Sequence, residues 1–145
     1  MTKKRVLIIN GPNLNLLHKR DKDAYGSNSL EKIKYNCLQL AKELNLEVDF
    51  VQSNSESEII NFIHQAIDNF DSIIINAGAY THTSIAIHDA LEIFTKPKIE
   101  LHISNIYKRQ TFRHHSYISL VVDAVISGLG ASGYTIALLA INELM

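Results

Sequence analysis

Two polar residues stand two apart in the segment KIELHIS, Glu100 and His102. In an extended strand that spacing puts both side chains on one face. A carboxylate beside an imidazole fixes its tautomer and raises its basicity, which suits acid–base chemistry. Such a pair also reads as a buried structural partnership, because polar groups inside a sheet cost energy unless matched. Its place at the carboxyl end of the strand favours function. Just beyond it, SNIYKRQTFRHHS gathers Lys108, Arg109, Arg113, His114 and His115 into a local basic cluster that fits a small anionic ligand. A second polar stretch, residues 11–29, holds Asn13, Arg20 and Tyr25. Connections of that length in a compact domain are usually functional. Asn13 after Pro12 reads either as a turn residue or as an amide that fixes a ligand oxygen or a water. Arg20 and Tyr25 read either as a solvated cation and a packing ring or as site groups. A third stretch, NAGAYTHTS at residues 76–84, offers small residues for close backbone approach ahead of a helix N-terminus. Within and after it, His82 reads as a hydrogen-bonding cap and Asp89 as surface charge.

Several chemistries are disfavoured. Seven histidines raise the question of a metal, but His82 and His88 are six apart, His114 and His115 are adjacent, and no HExxH spacing occurs. Neither a metal nor a cofactor is expected. GxGxxG and the Walker pattern are missing, as are a flavodoxin's phosphate loop and the paired acids of a response regulator; Asn10, Asn13 and Asn76 stand there instead. The single cysteine, Cys37, precludes an intramolecular disulfide and fits a reducing cytoplasm. Fourteen basic against 15 acidic residues give a net charge of −1, which argues against nucleic acid or an anionic membrane as partner. No stretch approaches the ~20 apolar residues of a membrane span. The apolar run 6–9 after the basic lead is too short for a signal peptide.

The elements that must position these residues follow from periodicity. With 145 residues, 46% hydrophobic and 20% charged, the chain reads as one domain over residues 1–145. Strands are expected at residues 5–10, 47–52, 72–76, 98–103 and 120–126. Asp123 is out of place in the last, and nothing in the sequence accounts for it. Helical faces are formed by Leu30, Ile33, Cys37, Leu40, Ala41 and Leu44, and by Ile59, Ile63, Ala66, Ile67 and Phe70, with Ser55 and Glu58 at capping-box spacing. Cys37 on such a face reads as a core residue. A third helix spans residues 84–94, stopped by Pro97, and a last one follows Gly128, Gly130 and Gly133. Strand–helix alternation predicts an α/β fold: a flavodoxin-like three-layer sandwich with a five-stranded parallel sheet, order 2-1-3-4-5. Its ligand crevice lies beyond the carboxyl ends of the strands, after Asn10, Asn76 and His102.

GPNLNLL, then Arg20, the pair Tyr25 and Gly26, QSNSE, INAGAYTHTS, ELHISNIYKRQTFRHHS and GLGASGY resemble, in order and through nearly the whole chain, the type II 3-dehydroquinate dehydratases. The resemblance implies a flavodoxin-like subunit in a homododecamer, a tetramer of trimers. It implies reversible anti loss of water from 3-dehydroquinate to give 3-dehydroshikimate through an enolate, with neither metal nor Schiff-base lysine, in the shikimate pathway or in quinate breakdown. It carries roles to individual residues. Tyr25 resembles the tyrosinate base, Arg20 the guanidinium that stabilises it, with Arg109 assisting, and Asn13 the residue holding a water on the enolate oxygen. His102 resembles the acid for the departing hydroxyl, supported by Glu100. Asn76, His82 and Arg113 match groups that bind substrate hydroxyls. Ile103 and Ser104 match donors to the substrate carboxylate, and Asp89 the acid that reaches a neighbouring subunit's site. The pattern departs in the loop, where the family usually reads LG-x-R-E-P: His18 follows Leu17, and Asp21 and Lys22 follow Arg20. That bears on loop stiffness and closure more than on chemistry. A free tyrosine has a pKa of ~10, so ionising it at neutral pH costs ~4 kcal/mol. One guanidinium recovers ~1–3 pKa units of that. The alternative reading is an inactive relative that binds a small hydroxy acid or serves as a scaffold; a flavin carrier lacks support.

Overall fold

The computed structural model describes residues 2–21, 23 and 28–145. Continuous apolar runs build its middle: β1 (Lys4–Asn10), β3 (Ser72–Asn76) and β4 (Lys98–His102), the last two buried at every position. β2 (Leu46–Gln52), which alternates exposed and covered residues, lies at one edge. β5 (Ala124–Ser127) lies at the other. All pairings are parallel and the order is β2-β1-β3-β4-β5, the expected 2-1-3-4-5 sandwich.

Helices cover both faces. α1 (Leu30–Glu43) and α4 (Ser132–Leu144) pack over Val6, Ile8, Ile74, Ile99 and Leu101. α2 (Glu56–Asn69) and α3 (Ile85–Ile93) pack over Leu7, Ile9, Ile73 and Ile75. Each fully buried aliphatic side chain contributes roughly 1.5–3 kcal/mol. Serines start three helices: Ser29, Ser55 and Ser84 accept from the backbone N–H groups of Lys32, Glu58 and Ile87 at 3.2, 3.2 and 2.9 Å. Cys37 lies in the core as expected, and burial pushes its thiol up to about 12, which keeps it protonated and inert.

Three expectations need correction. The fifth strand does not begin at residue 120. Ser119–Val121 form a 3-10 turn that leaves Leu120 76% exposed, and pairing starts only after Asp123. Asp123 is the reason: its carboxylate accepts from Lys98 N at 2.8 Å while its own N–H donates to Lys98 O at 2.8 Å, docking the chain onto β4. Gly133 does not precede the last helix but lies inside it, where the helix runs close against β4: a Cβ there would sit 2.9 Å from Leu101 Cδ1. β4 also ends at His102, one residue before Ile103.

Candidate active site

β1 and β3 are neighbours in register, Asn10 beside Asn76, and they leave the sheet together. Gly11 N donates to Asn76 O at 2.7 Å. A Cβ on Gly11 would stand 2.3 Å from Ala77 O, so only glycine lets the two backbones touch. Gly78 follows at φ +60°. Beyond these turns opens a cleft with about 570 Å³ of empty space, continuous with solvent. It lies at the β1/β3 switch point, as expected for this topology.

Asn13, Arg20, Asn76, His82, His102, Ile103, Ser104, Arg109 and Arg113 all line that cleft. Glu100 does not line it; it stands behind His102. Asp89 lies outside the cleft of its own chain, exposed on α3 with its carboxylate 2.9 Å from His88 Nδ1. Tyr25 falls outside the described residues.

The acid–base pair is built on β4. His102 Nε2 lies 2.5 Å from Glu100 Oε2, with Glu100 wholly buried. Ser116 and Ser119, on the segment before β5, donate their hydroxyls to the same carboxylate at 2.8 and 2.5 Å. Burial pushes the Glu100 carboxyl up, but the His102 ring and the two serines pull it down further, so it rests below the usual carboxylate range. Glu100 is therefore an acceptor at neutral pH and holds the Nε2 proton of its histidine. The His82 ring stacks on that of His102 at 6.4 Å, with its Nδ1 2.8 Å from His115 O. Burial lowers the His82 pKa; the His115 carbonyl opposes this, and the charges of His102, Arg113 and Arg109 add to it.

Asn13 takes the left-handed conformation, φ 71°, and its N–H donates to Asn54 Oδ1 at 3.0 Å. Gln52 Nε2 donates to Gly11 O and to Asn54 Oδ1, both at 3.2 Å, and Tyr80 hydroxyl to Asn54 O at 2.8 Å. The QSNSE segment thus holds the turn that presents Asn13. Arg109 Nη1 reaches Ser104 Oγ at 3.5 Å, and Arg113 Nε donates to Gln110 Oε1 at 2.9 Å. Three guanidinium groups and two imidazoles around one opening favour a small anion with several oxygens.

Sequence reasoning missed the residues that hold the others. Tyr134 hydroxyl donates to Asn10 Oδ1 at 2.6 Å and accepts from Asn76 Nδ2 at 3.0 Å. On the core side of α4 it reads as one more apolar aromatic, and only its place in GLGASGY hinted otherwise. Ser116 was marked only by closing ELHISNIYKRQTFRHHS, and Ser119 carried no signal. Among the described residues, no group of three or more His, Cys, Asp or Glu is placed to share a metal ion, and no helix is long and apolar enough to cross a membrane.

A family model described as dehydroquinase class II matches residues 4–142. A 3-dehydroquinate dehydratase of Actinobacillus pleuropneumoniae is 53% identical over 142 residues, 97% of this chain and 92% of the relative. One from Haemophilus influenzae is 50% identical over 135 residues, 93% and 91% of the two chains. The crystal structure of a type II dehydroquinase from Butyrivibrio crossotus superposes with a TM-score of 0.96 at 43% identity, covering 98% of this chain and 99% of the other. That of Propionibacterium acnes gives 0.94 at 40% identity, covering 98% of each.

Proposed function

The chain belongs to the dehydroquinase class II family, and from that membership we propose that it is a 3-dehydroquinate dehydratase. One observation carries the reading beyond membership. Asn13, Arg20, Asn76, His102 and Arg113, drawn from four separate stretches of sequence, line one cleft, with Glu100 bonded behind His102.

The reaction removes a proton beside the ketone of 3-dehydroquinate and then expels a hydroxyl from the opposite face. Tyr25, as tyrosinate, takes the proton, and the electron pair of the broken C–H bond moves into an enolate. Arg20 stabilises the tyrosinate, with Arg109 assisting. Asn13 holds a water against the enolate oxygen, a donor aimed where charge develops. The enolate then collapses: the C–O bond breaks, its electron pair leaves with the hydroxyl, and the proton from His102 completes a water molecule. Glu100 stabilises the imidazolium and fixes its tautomer. Ile103 N–H and Ser104 donate to the substrate carboxylate, while Asn76, His82 and Arg113 take its hydroxyls. Asp89 completes the site of a neighbouring copy in a dodecamer built as a tetramer of trimers. Residues 1–145 act as one catalytic domain in the cytoplasm, in the shikimate pathway or in quinate breakdown.

The test is turnover of 3-dehydroquinate, followed by the rise in enone absorbance of the product. Wild type is expected to turn over without added metal; no turnover would overturn the reading. Tyr25→Phe keeps the ring and removes the proton acceptor, so the rate should fall ~10²–10⁴-fold. Retention of more than about a tenth of wild-type turnover would move the base to another group. Arg20→Ala should shift the pH–rate profile toward alkaline pH, as the phenol returns toward its free value.

A further inference from the structure

We infer that Tyr134, which does not line the cleft, is a positioning residue: its hydroxyl fixes the Asn76 amide so that a donor N–H, and not a carbonyl oxygen, faces the ligand. This rests on the dehydratase reading and names a residue that sets how one substrate hydroxyl is recognised.

The argument is one of polarity along a chain of buried hydrogen bonds. Asn10 Nδ2 donates to Val51 O at 3.0 Å. A main-chain carbonyl can only accept, so the nitrogen of the Asn10 amide must lie on that side and its Oδ1 toward Tyr134. Oδ1 also can only accept, so the single hydroxyl proton of Tyr134 points to it, across 2.6 Å. The Tyr134 oxygen then turns a lone pair to Asn76, which must answer with Nδ2, 3.0 Å away. At the far end, Gly78 N–H donates to Asn76 Oδ1 at 3.2 Å. Both ends of the chain demand the same orientation. A flipped Asn76 would set oxygen against lone pair at Tyr134 and N–H against N–H at Gly78.

Tyr134 is fully buried, and burial pushes its phenol above the usual value, so it remains a neutral hydroxyl. An amide nitrogen carries two hydrogens. Asn76 spends one on Tyr134 and keeps one, and Asn76 borders the cleft. The spare N–H recognises an acceptor oxygen such as a ring hydroxyl. Asn10 and Asn76 are register partners on β1 and β3, so α4, from beneath the sheet, sets the polarity of the floor above it.

Tyr134→Phe tests this. Steady-state kinetics are measured with 3-dehydroquinate and with analogues that each lack one ring hydroxyl other than the one expelled in the reaction. For the full substrate, KM is expected to rise about tenfold, the effect of one lost oriented hydrogen bond, while kcat falls less than about threefold. For one analogue the KM of the variant should equal that of wild type, because the hydroxyl served by Asn76 is gone. A general loosening of the fold would not single out one hydroxyl. Equal rises for every analogue, a fall in kcat alone, or no change would overturn the inference. Should Tyr134→Phe not fold, 3-fluorotyrosine at position 134 keeps hydroxyl and volume but makes the oxygen a poorer acceptor. It is expected to raise KM about twofold with the same dependence on one hydroxyl; unchanged KM would then overturn the inference. Wild-type turnover in the same assay separates failure of the dehydratase reading from failure of this one.

Discussion

Strand β4 buries an ionisable side chain at each end, and the two ends serve different purposes. Lys98, Glu100 and His102 point to one face, and Ile99 and Leu101 to the other, where they join the core under α1 and α4. At the N-terminal end, Lys98 Nζ donates to the carbonyls of Leu91 and Phe94 at 2.7 and 2.5 Å. Those carbonyls end α3 and have no partner within the helix, and an ammonium there also meets the negative end of its dipole. Burial lowers the Lys98 pKa, and the charges of Asp123 and Glu92 oppose it. At the C-terminal end, the partners are side chains and the imidazole borders the cleft. A buried charge held by main-chain carbonyls can only stabilise. An imidazole held at Nε2 by a buried carboxylate beside an opening can deliver a proton from its other nitrogen, Nδ1.

The comparison breaks if either end behaves like the other. The largest effect is expected at the C-terminal end. His102→Ala should lower kcat ~10²–10⁴-fold with an unchanged circular dichroism spectrum, since the ring lies at the cleft border and not in the core. A variant that unfolds instead would make His102 structural, as Lys98 is. Glu100→Gln should follow with a loss of about 10–100-fold, because the acid remains but loses its carboxylate partner.

The same substitution sharpens the comparison through pH. The folded-state pKa of Glu100 is depressed, so the group contributes stability above its unfolded value of ~4.3 and that contribution fades as pH falls through the lower folded value. His82, also lowered, stabilises above its unfolded value of ~6.5 and loses that as acid protonates the folded ring. Melting temperature against pH should therefore fall in two stages on acidification. Glu100→Gln should flatten only the more acidic one, and His82→Gln only the other.

Lys98→Met tests the N-terminal end. Methionine fills similar volume but leaves two helix-terminal carbonyls without their donor, which costs about 1–3 kcal/mol. Denaturant unfolding should show that loss while turnover at saturating substrate stays within twofold. A tenfold loss of turnover would mean that strain travels along β4 to His102.

Much of this was legible in the sequence. The IIIN and KIELH runs read as covered strands, and Ser55 three residues before Glu58 as a helix start, because local spacing carries those signals. The cleft followed from strand order, and nine of the expected site residues line it. What stayed hidden depends on contacts distant in the chain. Tyr134 meets Asn10 across 124 residues, and Ser119 meets Glu100 across 19, and no local pattern announces either. The start of β5 was misplaced for a related reason: Leu120, Val121 and Val122 have strand-like types, but the chain is fixed there by the bond between Asp123 and Lys98.

Asp123 gives the smallest predicted effect and the finest test. Its carboxylate does two things at the N-terminal end of β4: it accepts from Lys98 N, and its charge offsets the burial of the Lys98 ammonium. Asp123 is itself exposed, so water can replace the lost acceptor, and Asp123→Ala should cost only about 0.5–1.5 kcal/mol. Asp123→Asn keeps an acceptor oxygen but not the charge. If the hydrogen bond dominates, Asn restores most of the stability; if the charge dominates, Asn behaves as Ala does, and raising salt shrinks the difference from wild type. Either variant should leave turnover at the wild-type level, because the cleft lies at the opposite end of the strand. A tenfold loss of turnover with unchanged stability would show that the two ends of β4 are coupled, and the division of roles along it would fail.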